Sequence, residues 1–66
     1  MNIDNEMIYF EMVYVRESER AILVEFKTEQ VWLPKSKIIW QEVNPGQITE
    51  VQVPLWLARK NNMMVR

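Results

Sequence analysis

The chain has 66 residues and a formal net charge of −1, and it contains neither cysteine nor histidine. A chain of this length forms one small domain with a marginal core, and without cysteine and histidine it has no disulfide and no zinc site of the usual kind. The small net charge also speaks against general affinity for duplex DNA, which depends on a strongly basic surface.

The sequence also indicates where the protein works. No stretch approaches the roughly 18 apolar residues of a membrane-spanning helix. The first six residues, Met-Asn-Ile-Asp-Asn-Glu, are unlike a secretory signal, which begins with cations and an apolar run. The absence of cysteine fits a reducing compartment. We therefore expect a cytoplasmic protein without membrane contact.

The first half of the chain predicts three strands, near residues 7–16, 20–27 and 30–33. The first is rich in β-branched and aromatic residues and holds no Gly or Pro, as is typical of strands. Alternation gives it two faces: Ile8, Phe10, Met12 and Tyr14 on one, and Met7, Tyr9, Glu11, Val13 and Val15 on the other. Because both faces are largely apolar, we expect this strand in the middle of a sheet or covered by a partner.

The connections and the second half complete the predicted fold. A tight turn at Thr28-Glu29 precedes the third strand, which Pro34 ends because it lacks the N–H group of a ladder. Residues 34–36 predict a loop or a single 3₁₀ turn. Strands follow near 37–43 and 48–53, joined by a type II turn at residues 44–47. Pro54 suits the first position of a helix near 54–61.

Five short strands in meander order and a short C-terminal helix predict a single domain over residues 1–66. The expected fold class is all-β or mostly β. The architecture expected is a small five-stranded curled sheet or barrel of the SH3-like or OB-like kind.

The sequence contains few residues that could form a catalytic site. Neither serine, Ser18 or Ser36, has a histidine to activate it, and neighbouring side chains of an extended segment point to opposite faces, so Lys35 and Lys37 are badly placed to activate Ser36. The single glycine excludes the Gly-rich phosphate loops. We predict no enzyme activity, no catalytic residue, no metal site and no cofactor.

Aromatic rings and cations are what the chain supplies in quantity. Residues 1–33 have a net charge of −4, whereas residues 34–66 have a net charge of +3. Stacking rings beside cations are how small β-barrels bind single-stranded nucleic acid. The predicted ligand-binding residues are Trp32, Lys35, Ser36, Lys37, Trp56, Arg59 and Lys60. The alternatives, tryptophans in the core and cations on a solvated surface, stay open.

Three segments carry a resemblance to a known family. Ala21-Ile-Leu-Val24, Trp32-Leu-Pro-Lys-Ser-Lys-Ile38 and Val51-Gln-Val-Pro-Leu-Trp-Leu-Ala58 resemble a family of small, uncharacterised phage and prophage proteins, with a Trp-Leu/Ile-Pro-Lys-Ser … Val-Pro-x-Trp-Leu-Ala pattern. The match covers roughly residues 20–60. The chain departs from the pattern after Lys60, where Asn61-Asn62-Met63 stands in place of a Gly-Leu ending.

The resemblance implies a phage-type accessory protein that acts by stoichiometric binding in the cytoplasm of a bacterial host. Our leading hypothesis is a non-catalytic protein that binds or sequesters a nucleotide or a short single-stranded oligonucleotide, as a counter to host immunity. A base would stack on tryptophan, and the phosphate would pair with lysine or arginine.

An alternative hypothesis is a protein–protein interaction inhibitor of a host defence protein. Its docking surface would be an apolar strand or an acidic face formed by Glu17, Glu19, Glu25 and Glu29. Such a face can attract a basic partner. A homo-oligomer built through residues 7–15 or through the apolar tail at residues 63–66 is compatible with either function, and we expect self-association.

Overall fold

The computed structural model describes residues 5–63, which form an antiparallel sheet and one short helix. The elements are β1 (Met7–Glu17), β2 (Ala21–Phe26), β3 (Glu29–Pro34), β4 (Ile39–Trp40), β5 (Ile48–Pro54) and α1 (Leu55–Lys60). A single 3₁₀ turn, Lys35–Lys37, joins β3 to β4, one residue later than the loop or 3₁₀ turn predicted at residues 34–36. The mostly β fold with five strands and a short C-terminal helix is confirmed.

The sheet has the strand order β3-β2-β1-β5-β4. β1 therefore lies in the centre, which is one of the two alternatives that its apolar faces predicted. Of the two predicted architectures, a curled sheet or a barrel, the barrel is wrong, because β3 and β4 are the two edges and do not pair with each other within residues 5–63. The predicted meander order also fails at this point, because β5 returns to the far side of β1 and pairs with it from Met7 to Val13.

The fourth strand is much shorter than predicted. Residues 37–43 were expected to be extended and paired, but only Ile39 and Trp40 pair with β5. The chain then leaves the ladder, and the carbonyl of Gln41 accepts a hydrogen bond from the Thr49 hydroxyl at 2.7 Å. A two-residue strand cannot supply the long ladder that closure against β3 would need.

The turns show how local conformation sets the register. Lys27 and Thr28 have φ values of 52° and 70° and form a two-residue hairpin loop, one position before the predicted turn; left-handed φ at both positions marks the type I′ turn that suits twisted strands. The predicted turn at residues 44–47 is present. The Gln47 N–H donates to the Asn44 carbonyl at 3.0 Å, and Gly46 has a φ of 88°.

The core lies between one face of the sheet, which we call the packed face, and α1. Buried side chains of the packed face and helix include Met12, Tyr14, Ile22, Val24, Leu33, Val51, Val53, Leu57 and Ala58. Phe10 meets Phe26 edge to face at 5.2 Å. Pro54 ends β5 and immediately precedes the helix instead of opening it. No helix within residues 5–63 is long and apolar enough to cross a membrane.

Met63 joins this core. The rest of the apolar tail predicted at residues 63–66, and the first four residues, lie outside the described part of the chain.

Candidate interaction surface

The sheet has a second face, which neither α1 nor any other described helix covers; we call it the open face. Four large apolar side chains on this face are exposed to solvent: Tyr9 (66% exposed), Ile48 (63%), Ile39 (57%) and Trp32 (43%). They come from four different strands. Several large exposed apolar side chains on one face of a small protein mark a candidate interaction surface.

The strand register arranges these side chains in rows across the sheet. In one row Ile39 of β4 pairs with Gln52 of β5, which pairs with Tyr9 of β1. In another row Ile48 pairs with Val13. Because alternate residues of a strand share a face, these rows stand about 13 Å apart and enclose one further row.

The row between them is acidic. Glu11 of β1 pairs directly with Glu50 of β5. The Leu55 N–H donates to the Glu6 carbonyl, which assigns the hydrogen-bonded pairs of this ladder to even positions of β1. Glu11 and Glu50 are therefore a non-hydrogen-bonded pair, in which side chains lie closest. Like charges in this position destabilise a sheet by a few tenths to about 1 kcal/mol.

A shallow cavity of about 250 Å³ opens beside this acidic pair and is lined by Tyr9, Phe10, Glu11 and Glu50. Glu25, which pairs with Val13, adds a third carboxylate to the open face. Arg16 is the cation on this face, so its charged strand residues sum to a negative charge. The arrangement offers carboxylates between apolar rows and favours a ligand with a cation flanked by apolar groups.

Trp32 has a partner within the chain. A bulge in β1 at Val15 shifts the register between Tyr14 and Arg16, which turns the Arg16 side chain to the open face. Its guanidinium carbon lies 5.1 Å from the centre of the Trp32 ring. Arg16 and Trp32 both pair with Leu23, and Leu23 is buried between them.

Lys35 of the predicted site is also engaged. Its Nζ donates to Glu17 Oε2 at 2.9 Å, and the Tyr14 hydroxyl donates to Glu17 Oε1 at 2.6 Å. These bonds favour the carboxylate, so the pKa of Glu17 falls below its usual value, first through Tyr14 and then through Lys35. The same bond, with burial, raises the pKa of Tyr14 to about 12. The Tyr14 ring stacks on Trp40 at 5.9 Å.

The structure divides the predicted ligand-binding residues into separate groups. Trp56, Arg59 and Lys60 belong to α1, which starts after the Pro54–Met7 pair at one end of β1. Lys35–Lys37 follow β3 near the other end of β1. Since 11 strand residues span about 33 Å, the two groups start from opposite ends of the sheet, while Trp32 lies on the open face.

A second cavity lies beside the 3₁₀ turn. It has a volume of about 490 Å³ and is lined by Glu19, Arg20, Lys35 and Ser36. It brings together two of the predicted site residues and adds Arg20, which the sequence did not single out. Within residues 5–63 no three acidic side chains come together as metal ligands would.

The predicted acidic face is not a single surface. Of its four members, only Glu25 lies on the open face. Glu17 is turned towards Tyr14, and Glu19 lines the second cavity. Glu29 pairs with Phe26, whose side chain packs against the core. The acids that do share the open face with Glu25 are Glu11 and Glu50. Sequence alternation had already placed Tyr9 and Glu11 on one face of β1, but it could not show that this face lacks a covering layer.

No protein-family model, no curated protein and no solved structure matches the chain. The chemistry of the open face is therefore the basis for a functional proposal.

Proposed function

We propose that the protein is a non-catalytic interaction module that docks the open face of its sheet on a protein partner. The observation that carries the proposal is the concentration of exposed Tyr9, Trp32, Ile39 and Ile48 on one uncovered face. Aromatic and apolar side chains of this kind form the cores of protein interfaces.

The rows of side chains on the open face indicate what kind of partner surface would fit it. The Glu11–Glu50 pair stands between the apolar row of Tyr9 and the apolar row of Ile48. A Lys or Arg side chain of the partner relieves the repulsion between the two carboxylates, and apolar side chains beside it bury the two rows. The partner is therefore a protein surface with a cation set among apolar residues, and complementary charge speeds such an association.

Two contacts favour a protein partner over a nucleotide. The cation of Arg16 already lies over Trp32, and the cation of Lys35 already pairs with Glu17. A stacking base and a phosphate would compete with both internal contacts. The resemblance to small phage and prophage proteins suggests a host bacterial protein as the partner.

The test is a capture experiment in bacterial lysate with matched variants. The variant Tyr9→Ser/Ile48→Ser removes two side chains that are both more than half exposed, so we expect it to fold and to lose the partner. Trp56→Ser is the control, because Trp56 is an exposed apolar residue of α1 and not of the sheet. The charge reversal Glu11→Lys/Glu50→Lys should reduce capture at low salt.

The proposal is supported if the parent and Trp56→Ser both retain a protein that the open-face variant does not retain. Added salt should weaken the binding of that protein. If the parent and the folded open-face variant retain the same proteins, the open face is not the docking surface.

A second candidate function rests on the cavity lined by Glu19, Arg20, Lys35 and Ser36. Arg20 and the Ser36 hydroxyl suit a phosphate group, and Lys35 would join them by exchanging Glu17 for the phosphate. The cavity is therefore a candidate site for a nucleotide or short oligonucleotide. Fluorescence titration with ATP and with a short oligothymidylate tests this candidate. Affinity should fall on Arg20→Glu and stay unchanged on Lys60→Glu; equal affinity in both variants would reject the cavity as the site.

A further inference from the structure

The two edges of the sheet differ in how they are protected. β4 has only two residues, and a very short edge strand gives little for another strand to pair with. β3 has six residues, and none of Gln30, Val31, Trp32 and Leu33 is charged. Charged side chains, prolines and bulges are the usual protection of an edge, and the middle of β3 has none of them.

The register of β3 determines which of its backbone groups point outward. The two-residue loop makes Phe26 and Glu29 a hydrogen-bonded pair, and the Lys35 N–H donates to the Arg20 carbonyl at 2.8 Å. Odd positions of β3 therefore face β2. Gln30 and Trp32 direct both N–H and C=O away from the sheet, and Pro34 at the next even position lacks the N–H. Within residues 5–63 no strand pairs with this edge.

We propose that β3 pairs with β3 of a second copy of the chain, antiparallel about a two-fold axis perpendicular to the sheet. Gln30 of each chain lies opposite Trp32 of the partner subunit. Both outward N–H groups and both outward carbonyls of those residues are then paired in each chain. Val31 meets Val31 of the partner subunit on the packed side, and the two sheets become one.

A second copy fits this edge for three reasons. The outward backbone groups are self-complementary, since Gln30 and Trp32 supply both the donors and the acceptors in each of the two chains. Two identical strands have the same twist and meet without distortion. A domain of this size also has a marginal core and benefits from self-association.

The expected dimer is weak. Six-residue strands bury less than the roughly 800 Å² per partner of a standard stable interface, so we place its dissociation constant in the range of about 10 μM to about 1 mM.

Sedimentation analysis over that concentration range tests the pairing. The parent should shift from the mass of one 8.0 kDa chain towards twice that mass. Gln30→Pro removes an outward N–H that the monomer does not use, and edge strands tolerate such prolines, so this variant should stay monomeric and folded. Gln30→Ala, which keeps the N–H, should dimerise like the parent.

Amide hydrogen exchange of the parent provides an independent readout that does not depend on a variant folding. The Val31 and Leu33 amides should be protected at every concentration, whereas protection of the Gln30 and Trp32 amides should appear only as the dimer forms. A parent that remains monomeric, or Gln30 and Trp32 amides that stay unprotected while a dimer forms, would overturn the proposal. So would a folded Gln30→Pro variant that dimerises like the parent.

Discussion

Ile48 and Thr49 are neighbours on β5, and their environments are the reverse of what their side chains prefer. Ile48 is 63% exposed on the open face, whereas Thr49 is 2% exposed on the packed face. Thr49 is tolerated in the core because its hydroxyl donates to the Gln41 carbonyl. Buried polar groups with a partner cost little, and those without one cost much.

Hydrophobicity alone therefore did not decide which face of this sheet is covered. β1 carries apolar residues on both faces, but α1 packs on only one of them. A six-residue helix is too small to cover both sides of a five-stranded sheet. The open face keeps large apolar side chains that contribute little to folding, and their chemistry is therefore available for binding.

The largest expected effect comes from the same substitution made on the two faces. Ile22 is fully buried on the packed face, so Ile22→Ala should lower the free energy of unfolding by about 2–5 kcal/mol. Ile48→Ala should change it by no more than about 0.5 kcal/mol, as exposed substitutions usually do. Urea unfolding of both variants followed by circular dichroism measures the difference. Equal losses would mean that the open face is covered in solution.

A smaller effect is expected at the buried polar residue. Thr49→Val keeps the shape of the side chain but removes the donor to the Gln41 carbonyl. The free energy of unfolding should fall by about 0.5–1.5 kcal/mol, the net contribution of a typical hydrogen bond, because water can solvate the carbonyl of the exposed Gln41. The matched variant Ile48→Thr, one residue away on the open face, should be near neutral. A stabilised Thr49→Val variant would show that the hydrogen bond contributes less than the added apolar group.

The smallest effect is a pH dependence centred on Glu17. Its pKa is lower in the folded chain than its ordinary value of 4.5, so the carboxylate stabilises the folded state above that value. The contribution is lost as the pH falls through the folded-state pKa. Unfolding of the parent and of Glu17→Gln from about pH 7 to about pH 3 should show a difference that shrinks towards acid. A constant difference would contradict the assignment.

Tyr14 gives the free energy of unfolding a pH dependence of the opposite sign, at alkaline pH. Its pKa rises from 10.0 to about 12, so its protonated hydroxyl stabilises the folded state below the ordinary value. That contribution is lost as the pH rises through the folded-state pKa. Tyr14→Phe should lack this alkaline transition, which absorbance of the ionised ring can follow in the parent.

Periodicity was sufficient for much of the fold. Alternation placed Phe10, Met12 and Tyr14 together on one face of β1, although it did not show that this is the packed face. Pro45-Gly46 predicted the turn before β5. Spatial order was not available from the same patterns. In the structure β5 pairs with both β1 and β4, whereas β3 and β4 do not pair with each other in the described part of the chain. Local patterns do not show whether β3 and β4 meet, so the open sheet could not be distinguished from a barrel.

The candidate site was predicted less well, for a physical reason. Strict alternation assigns Arg16 to the side of Tyr14, but the bulge at Val15 moves it to the open face beside Trp32. Lys35 pairs with Glu17, which is 18 residues earlier in the chain. Bulges and distant ion pairs change which groups are available to a ligand, and neither has a signature in spacing.

The pairing of β1 with β5 has a consequence for how the chain folds. Val13 pairs with Ile48, which lies 35 positions later, and Met7 pairs with Pro54. The β1–β2–β3 meander, whose strands are joined by short loops, can form early. The pairing of β1 with β5 forms later, because it requires a long loop to close. Folding rates fall as such distant contacts increase. We therefore expect the half-sheet of β1, β2 and β3 to precede the native state, with the packed face exposed until β5 and α1 arrive.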